Sequence, residues 1–431
     1  MITFGTAKEI ITPNIKTSLM GMGDVFGIPF TKINDDIYVR TLVLKDKDEN
    51  TVVLCTFDLL FHDNSLTERL REYVGQKYGV PYKNLHVNYS HTHYAPAVKG
   101  YDITYHKEEY ENFVFERTCA SVDRAFLNTC KGTVKFAKVK GDWNISRRKT
   151  VDGKCLFMPN EDGERDPHIY MLKFEDEEGT LRGLLMSFAC HPSNILHNLG
   201  TIISSEYPGR LCQKIEAEFY GCGALFVQGF GADSKLKKGV KNGEFLQITF
   251  KECDEVASSM ASSVKETIMN ESVWEKLNVN LGCTVFKLEL PLEPYPLRYY
   301  QNEQKINTEN GCELLKTDAD YVIENYDKLP EVLTLDCAVI KINEKFYIYI
   351  MPGEPGINIQ TVLREDNPDI TLLCFGYNNA IAYVPSDKMI KEGGYEAEES
   401  ILEYRLKGKI KPGVDKIYKD SLKDAIKNLD K

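Results

Sequence analysis

Six apolar runs in this chain each end in a side chain that can bind a metal or move a proton. "VVLCTF" stops at Asp58, "LHVNYS" at His91 and His93, "GLLMSFAC" at His191, "ALFVQGFGA" at Asp233, "YIYIMPG" at Glu354, and "TLLCFGYNNAIA" at Tyr383. Taken singly, the histidines are more often satisfied buried residues, and Glu354 is the hardest to explain that way. Together they form a pattern, because ligands of α/β sheets bind outside the carboxyl ends of the strands. In an extended segment His91 and His93 point to the same face. Both could reach one centre, or one could ligate while the other moves protons. Glu354 lies between two Pro-Gly pairs in "MPGEPG" at the end of a very apolar run. Burying its charge unpaired is costly, so a cation is expected beside it.

Two imidazoles and a carboxylate are the ligand set of a catalytic zinc site that keeps a position open for water. Zinc lowers the pKa of that water to about 7 and polarises a carbonyl oxygen. The chemistry this predicts is hydrolysis with zinc-bound water as nucleophile. Two alternatives stand beside it: a metal-dependent esterase or phosphodiesterase with a second cation at Asp58 or Asp233, and a non-catalytic zinc-binding homologue. Serine or nucleotide chemistry is poorly supported, since the chain has no G-x-S-x-G elbow, P-loop or G-x-G-x-x-G fingerprint.

These residues need strands to carry them and helices to separate the strands. Through the first 240 residues, short apolar runs alternate with helical patterns: "NTVVLCTFD" before "NSLTERLREYVGQKYG", "NLHVNYSHTH" before "EEYENFVFERTCASVDRAFLNT", "LRGLLMSFACHPSN" before "PGRLCQKIEAEFYG", and "GALFVQGFGADS" before "FLQITFKECDEVASSMASSVKETI". That alternation predicts an α/β fold of mixed sheets flanked by helices. In the first helix Leu66, Leu70, Tyr73 and Val74 share a face, Asn64-Ser65 offers a cap, and Gly79 the stop. From about residue 273 the chain becomes β-rich, with a hairpin turn expected at Asn343-Glu344 and a helix over "CELLKTDADYVIENYDKL". We expect a single metallohydrolase domain over 1–400 and an amphipathic helical tail over 401–431, with Ile417, Leu422, Ile426 and Leu429 near one face.

A net charge of −11 over 431 residues argues against nucleic acid, which requires a basic face. A small-molecule substrate fits better. No export signal and no apolar run of about 18 residues is present, so no stable membrane association is expected. Twelve cysteines without a C-x-x-C pair, several within apolar runs, read as buried free thiols of a cytoplasmic protein.

The ordered motifs resemble those of the neutral/alkaline, non-lysosomal ceramidase family. The likeness runs through "FGTAKEIITP", "IYVRTLVLKD", "VVLCTFD", "SHTHYAP", "WNISRR", "ACHPSN", "SSEYPGRL", "VQGFGADS", "MPGEP" and "AYVPS...EGGYEAE". It implies a zinc-dependent amidase with a ceramidase-like catalytic domain, here without that family's export signal and C-terminal immunoglobulin-like domain. It implies Zn2+ held by His91, His191, Glu354 and Tyr383. His93 would transfer a proton or hold the zinc-bound water, Arg147 would polarise the substrate carbonyl or oxyanion, and Tyr395 would be a further oxyanion donor. The chain departs from the family where Gly-Asp-x-Ser-Pro is replaced by Ala232-Asp233-Ser234-Lys235-Leu236. The family's serine falls on Lys235, with Ser234 one position away and facing the other side. A cation there suits an anionic part of a different substrate. The expected reaction is therefore hydrolysis of a linear amide in a small polar or N-acylated compound, with the lipid identity released. Specificity would lie in "GMGDVFGIPF", "VKGYDITYH" and "LEPYPLRYYQNEQ".

Overall fold

The computed structural model of the chain describes residues 1–21, 28–98, 107–195, 201–379 and 381–429. The segments "GMGDVFGIPF" and "VKGYDITYH" fall largely outside the described residues.

Three parallel strand pairs organise the site, and each is forced by a helical crossover. Parallel neighbours cannot be joined by a tight turn and need a connection of a dozen or more residues. Thr51–Phe57 and Leu85–Tyr89 pair parallel across the helix Asn64–Tyr78, and Leu181–Phe188 and Gly223–Gln228 across Glu206–Glu218. Phe346–Ile350 and Thr371–Phe375 do so across Ile357–Asp366. The first two pairs lie at opposite ends of a nine-stranded sheet, linked through the antiparallel strands His168–Asp176, Cys130–Lys140, Ile2–Ile10 and Tyr38–Lys45. The third lies in a five-stranded sheet with Val332–Asn343, Gly282–Pro294 and Gly408–Ile410. The mixed α/β architecture expected from the sequence is thus present.

The two sheets pack through one apolar layer, where Leu42, Leu172, Leu185 and Val227 meet Ile340, Ile348, Leu373 and Phe375. That contact sets the ends of the three parallel pairs against one another. Asn88 fastens them: its Oδ1 accepts from Gln228 N at 2.8 Å, and its Nδ2 donates to Gly376 O at 2.6 Å. Gly376 N in turn donates to Gln228 O at 3.0 Å, and Tyr89 N to Tyr377 O at 2.8 Å. An amide side chain here replaces the ladder that the converging strands do not form, and it satisfies buried backbone groups.

Several local expectations shift by one or a few residues. The first helix is capped by Asp63, whose carboxylate accepts from Ser65 N, and it ends at Gly79 with φ 68°. Asn64 is instead the first helical residue, and its Oδ1 accepts from Asn379 Nδ2 at 3.0 Å. The helix after Gly223–Gln228 starts at Phe250, later than the periodicity suggested, behind a capping box of Thr249 and Glu252. The hairpin turns at Glu344-Lys345, with Asn343 Oδ1 accepting from Lys345 N at 2.9 Å. "LEPYPLRYYQNEQ", one of the stretches expected to carry specificity, contains the start of a helix over Leu297–Glu309, opened by Pro296. The last helix, Val414–Leu429, buries Val414, Tyr418, Leu422 and Ala425 in the same core as Leu288, Leu335 and Leu363. All twelve cysteines are unpaired. Among the described residues no helix is long and apolar enough to cross a membrane.

Candidate metal centre

The chain turns sharply as it leaves Leu85–Tyr89. His91 adopts φ 65°, a conformation uncommon outside glycine and typical of functional turns. Its N donates to Leu59 O at 2.9 Å, and its ring Nδ1 lies 3.1 Å from Leu60 O. The carbonyl requires Nδ1 to carry the proton, so Nε2 has a free lone pair. That Nε2 lies 3.2 Å from Glu354 Oε2.

His191 and His93 form a second hydrogen-bonded line. His93 Nδ1 donates to Gly21 O at 2.5 Å, and His93 Nε2 lies 3.0 Å from His191 Nε2. With the His93 proton on Nδ1, His191 must donate from Nε2, and its own Nδ1 is left as a lone pair. Nδ1 lies 3.6 Å from Glu354 Oε2. The two imidazoles on the line are held neutral: burial, then the neighbouring His91, draws both His93 and His191 well below the ordinary histidine value. Neutral imidazole is the ligand form.

Glu354 meets them from the second sheet. Its N donates to Ala382 O at 2.8 Å, and it pairs with Tyr383 across a short parallel bridge that sets the two side chains together. Gly353, at φ 75°, permits the turn; a Cβ there would lie 2.4 Å from Ala382 O. Tyr404 donates to Oε1, which leaves Oε2 for the imidazoles. The Tyr383 hydroxyl accepts from Arg147 Nη2 at 3.3 Å. Burial, then the Glu354 charge, raises that phenol well above its ordinary value.

The donor set fits a divalent cation. His191 Nδ1 and Glu354 Oε2 are buried with no hydrogen-bond partner among the described residues. Acceptors that face one another need a positive charge between them. Ligand atoms around a tetrahedral ion with bonds of about 2.0–2.2 Å stand about 3.3–3.6 Å apart, which matches the 3.2 and 3.6 Å separations. His91, His93 and His191 also form a cluster whose ligand atoms all lie within 4.8 Å of one another.

A cationic wall adjoins this cluster. Arg147 Nε donates to Glu396 Oε1 at 2.7 Å, and Arg148 donates to the other oxygen of the same carboxylate. The guanidinium of Arg147 stands over three rings, 4.7 Å from Phe157, 5.5 Å from Tyr395 and 5.6 Å from Tyr383. The Tyr395 hydroxyl is 2.9 Å from both oxygens of Glu403. Burial pushes the Glu403 carboxyl up to about 7.

All seven residues singled out for metal binding or catalysis are therefore gathered at one place. The two aspartates considered for a second cation are engaged elsewhere. Asp58 Oδ2 accepts from Arg40 Nη1 at 2.7 Å and Tyr38 N at 3.0 Å; Asp233 Oδ1 accepts from Ile357 N at 2.9 Å, at the start of the helix after Glu354. Ser234 is buried, its hydroxyl 3.4 Å from Ile145 O. Sequence reasoning missed Tyr404, Glu396 and Glu403. None follows an apolar run; Glu396 lies in the family-like "EGGYEAE" with no role assigned, and Glu403 and Tyr404 lie outside every quoted motif.

Strand ends from the two sheets of this mixed α/β fold thus gather buried imidazoles, a carboxylate and a phenol into a candidate metal site. The chain belongs to the neutral/alkaline non-lysosomal ceramidase family, whose N-terminal region matches residues 3–271. Among solved structures it resembles the neutral ceramidase from Pseudomonas aeruginosa, with TM-score 0.75 and 18% identity over 99% of this chain and 74% of that one. A ceramidase complexed with C2 resembles it to the same degree, at TM-score 0.75, 18% identity and the same 99% and 74% coverage. No curated protein matches by sequence.

Proposed function

We propose that this protein is a metal-dependent hydrolase of a linear amide bond in a small polar or N-acylated substrate, with Zn2+ as the ion. The observation that carries the reading is the convergence of His91 Nε2 and His191 Nδ1 on Glu354 Oε2, in a buried site where His191 Nδ1 and Glu354 Oε2 have no hydrogen-bond partner among the described residues. His91, His191, Glu354 and Tyr383 would hold the ion. Bound there, it supplies Lewis acidity toward a carbonyl oxygen and toward water at neutral pH.

The protein's own groups do the rest. Arg147, fixed by Glu396, presents a guanidinium edge toward Tyr383, where negative charge on a carbonyl oxygen would develop. Tyr395 sits beside it, and protonation of Glu403 would turn that phenol from a donor to Glu403 into a donor to substrate. His93 backs His191 and takes or returns a proton through Nε2. The engagement of Asp58 with Arg40 and of Asp233 with a helix N-terminus favours one ion over two.

The test is a panel of N-acyl amides and matched esters, assayed before chelation, after it and after zinc return. Amide cleavage that is lost and regained with zinc is expected. Cleavage confined to esters, or untouched by chelation, contradicts the reading.

A further inference from the structure

The position where the family motif carries serine holds an ammonium group, Lys235, with no ion pair among the described residues. Lys235 belongs to the short strand Ser234–Leu236, which pairs antiparallel with Asn144–Val151 and places Lys235 opposite Ile145. Residues 145 and 147 share a face of their strand, so Lys235 is the diagonal neighbour of Arg147. It is also bridged through the backbone to His191. One of its three N–H donors reaches Ser193 O at 3.0 Å. Among the described residues no carboxylate lies within ion-pair distance of its Nζ. Glu206, the buried acid whose field reaches it, directs Oε1 at Asn194 N and Nδ2 instead. Arg147, by contrast, is ion-paired with Glu396, which it shares with Arg148.

The ammonium is half-buried beneath an aromatic rim. It lies 5.8 Å from the ring centroids of both Phe157 and Phe245, which stand edge to face with each other. Phe157, 46% exposed, is the ring that also carries Arg147. A cation on one side of the reaction centre, with two donors uncommitted among the described residues and apolar rings above it, is a receptor for an anion attached to an apolar or acyl group.

We infer that the substrate carries an anionic group, a carboxylate or a phosphate, and that Lys235 binds it next to the scissile amide. This rests on the amide-hydrolase reading above and names the substrate class for it. The competing role for Lys235 is purely structural, as a tether on the Ser193 carbonyl.

Matched trios test it: N-octanoylglycine, N-octanoyl-O-phosphoethanolamine and neutral N-octanoylethanolamine. Each is measured for kcat/KM and, by calorimetry, for binding to the wild-type protein, Lys235→Met and Lys235→Arg. Wild type should prefer at least one anionic member by about 10- to 100-fold, the scale of a charge-assisted hydrogen bond. Lys235→Met should abolish that ratio and Lys235→Arg retain most of it. The carboxylate and phosphate arms show which anion fits. Equal handling of all three by wild type, or an anionic preference that survives in Lys235→Met, overturns the inference. Lys235-dependent binding without cleavage of any member leaves the anion site standing and removes the amidase reading. Cleavage without anionic preference does the reverse.

Discussion

His93 and His191 face each other through their Nε2 atoms at 3.0 Å, while His93 Nδ1 is fixed on Gly21 O. Only one arrangement of protons satisfies both contacts, and it turns the Nδ1 lone pair of His191 toward Glu354. The two histidines therefore have unequal roles. His191→Ala should abolish metal binding. His93→Ala should weaken it by about 10- to 100-fold, as loss of an outer-shell partner does, and slow turnover by about 10²- to 10⁴-fold, as loss of a general acid–base group does. Competition with a chromogenic chelator measures the first effect and steady-state kinetics the second. Equal loss of metal in both variants would make His93 a direct ligand.

Glu396 compensates two buried guanidinium groups, Arg147 and Arg148. Glu396→Ala should destabilise the fold by about 3–5 kcal/mol, because it leaves buried charge unpaired. Arg147→Lys keeps the charge but loses the planar fork. It should fold normally and lose about 10²- to 10³-fold in kcat with little change in KM. Chemical denaturation and kinetics on the same preparations separate the two effects.

Asp58 and Arg40 form a fully buried pair. Asp58→Asn should lower stability by about 3–5 kcal/mol and leave one metal per chain. A drop in metal content on this substitution, measured by elemental analysis, would instead restore a second cation.

Asp166 ties the nine-stranded sheet to the helix that follows Glu354. Its Oδ2 accepts from Gln360 at 2.7 Å, Arg364 at 2.9 Å and Tyr170 at 2.8 Å, and its Oδ1 accepts from His168. Burial alone would raise this carboxyl, but the His168 hydrogen bond and the Arg364 charge outweigh it and hold the group well below the usual carboxylate range. A depressed folded-state pKa contributes stability that is complete above the unfolded value of about 3.9 and is lost as pH falls through the lower folded value. Asp166→Asn should cost about 3 kcal/mol near pH 7. The gap from wild type should narrow toward about pH 2, as followed by urea unfolding across that range. A gap independent of pH would remove the ionised carboxylate from the account.

The sequence showed the site more clearly than it showed the site's supports. Strand-end residues announce themselves because a polar side chain closing an apolar run is costly to bury, so His91, His191 and Glu354 were legible before any coordinates. Tyr383 also closes an apolar run, but its metal role came only from the family resemblance; Arg147 and Tyr395 became candidates through that resemblance alone, since nothing about a tyrosine or arginine in a mixed stretch marks it. Tyr404 and Glu403 left no signal at all, and Glu396 stood within the family-like "EGGYEAE" without a role of its own. Their roles depend on a turn that folds an acidic surface-like segment back over the centre. The closure of the site by Asn88 was equally hidden, because it joins strands 140 and 288 residues apart along the chain.

The central claim, a single cation held by residues from both sheets, is tested most directly by metal content. Protein purified from zinc-supplemented growth is predicted to hold one zinc per chain by mass spectrometry of the elements. His191→Ala and Glu354→Ala, shown to be folded by circular dichroism, are predicted to hold none. Stoichiometric zinc in either folded variant would contradict the account.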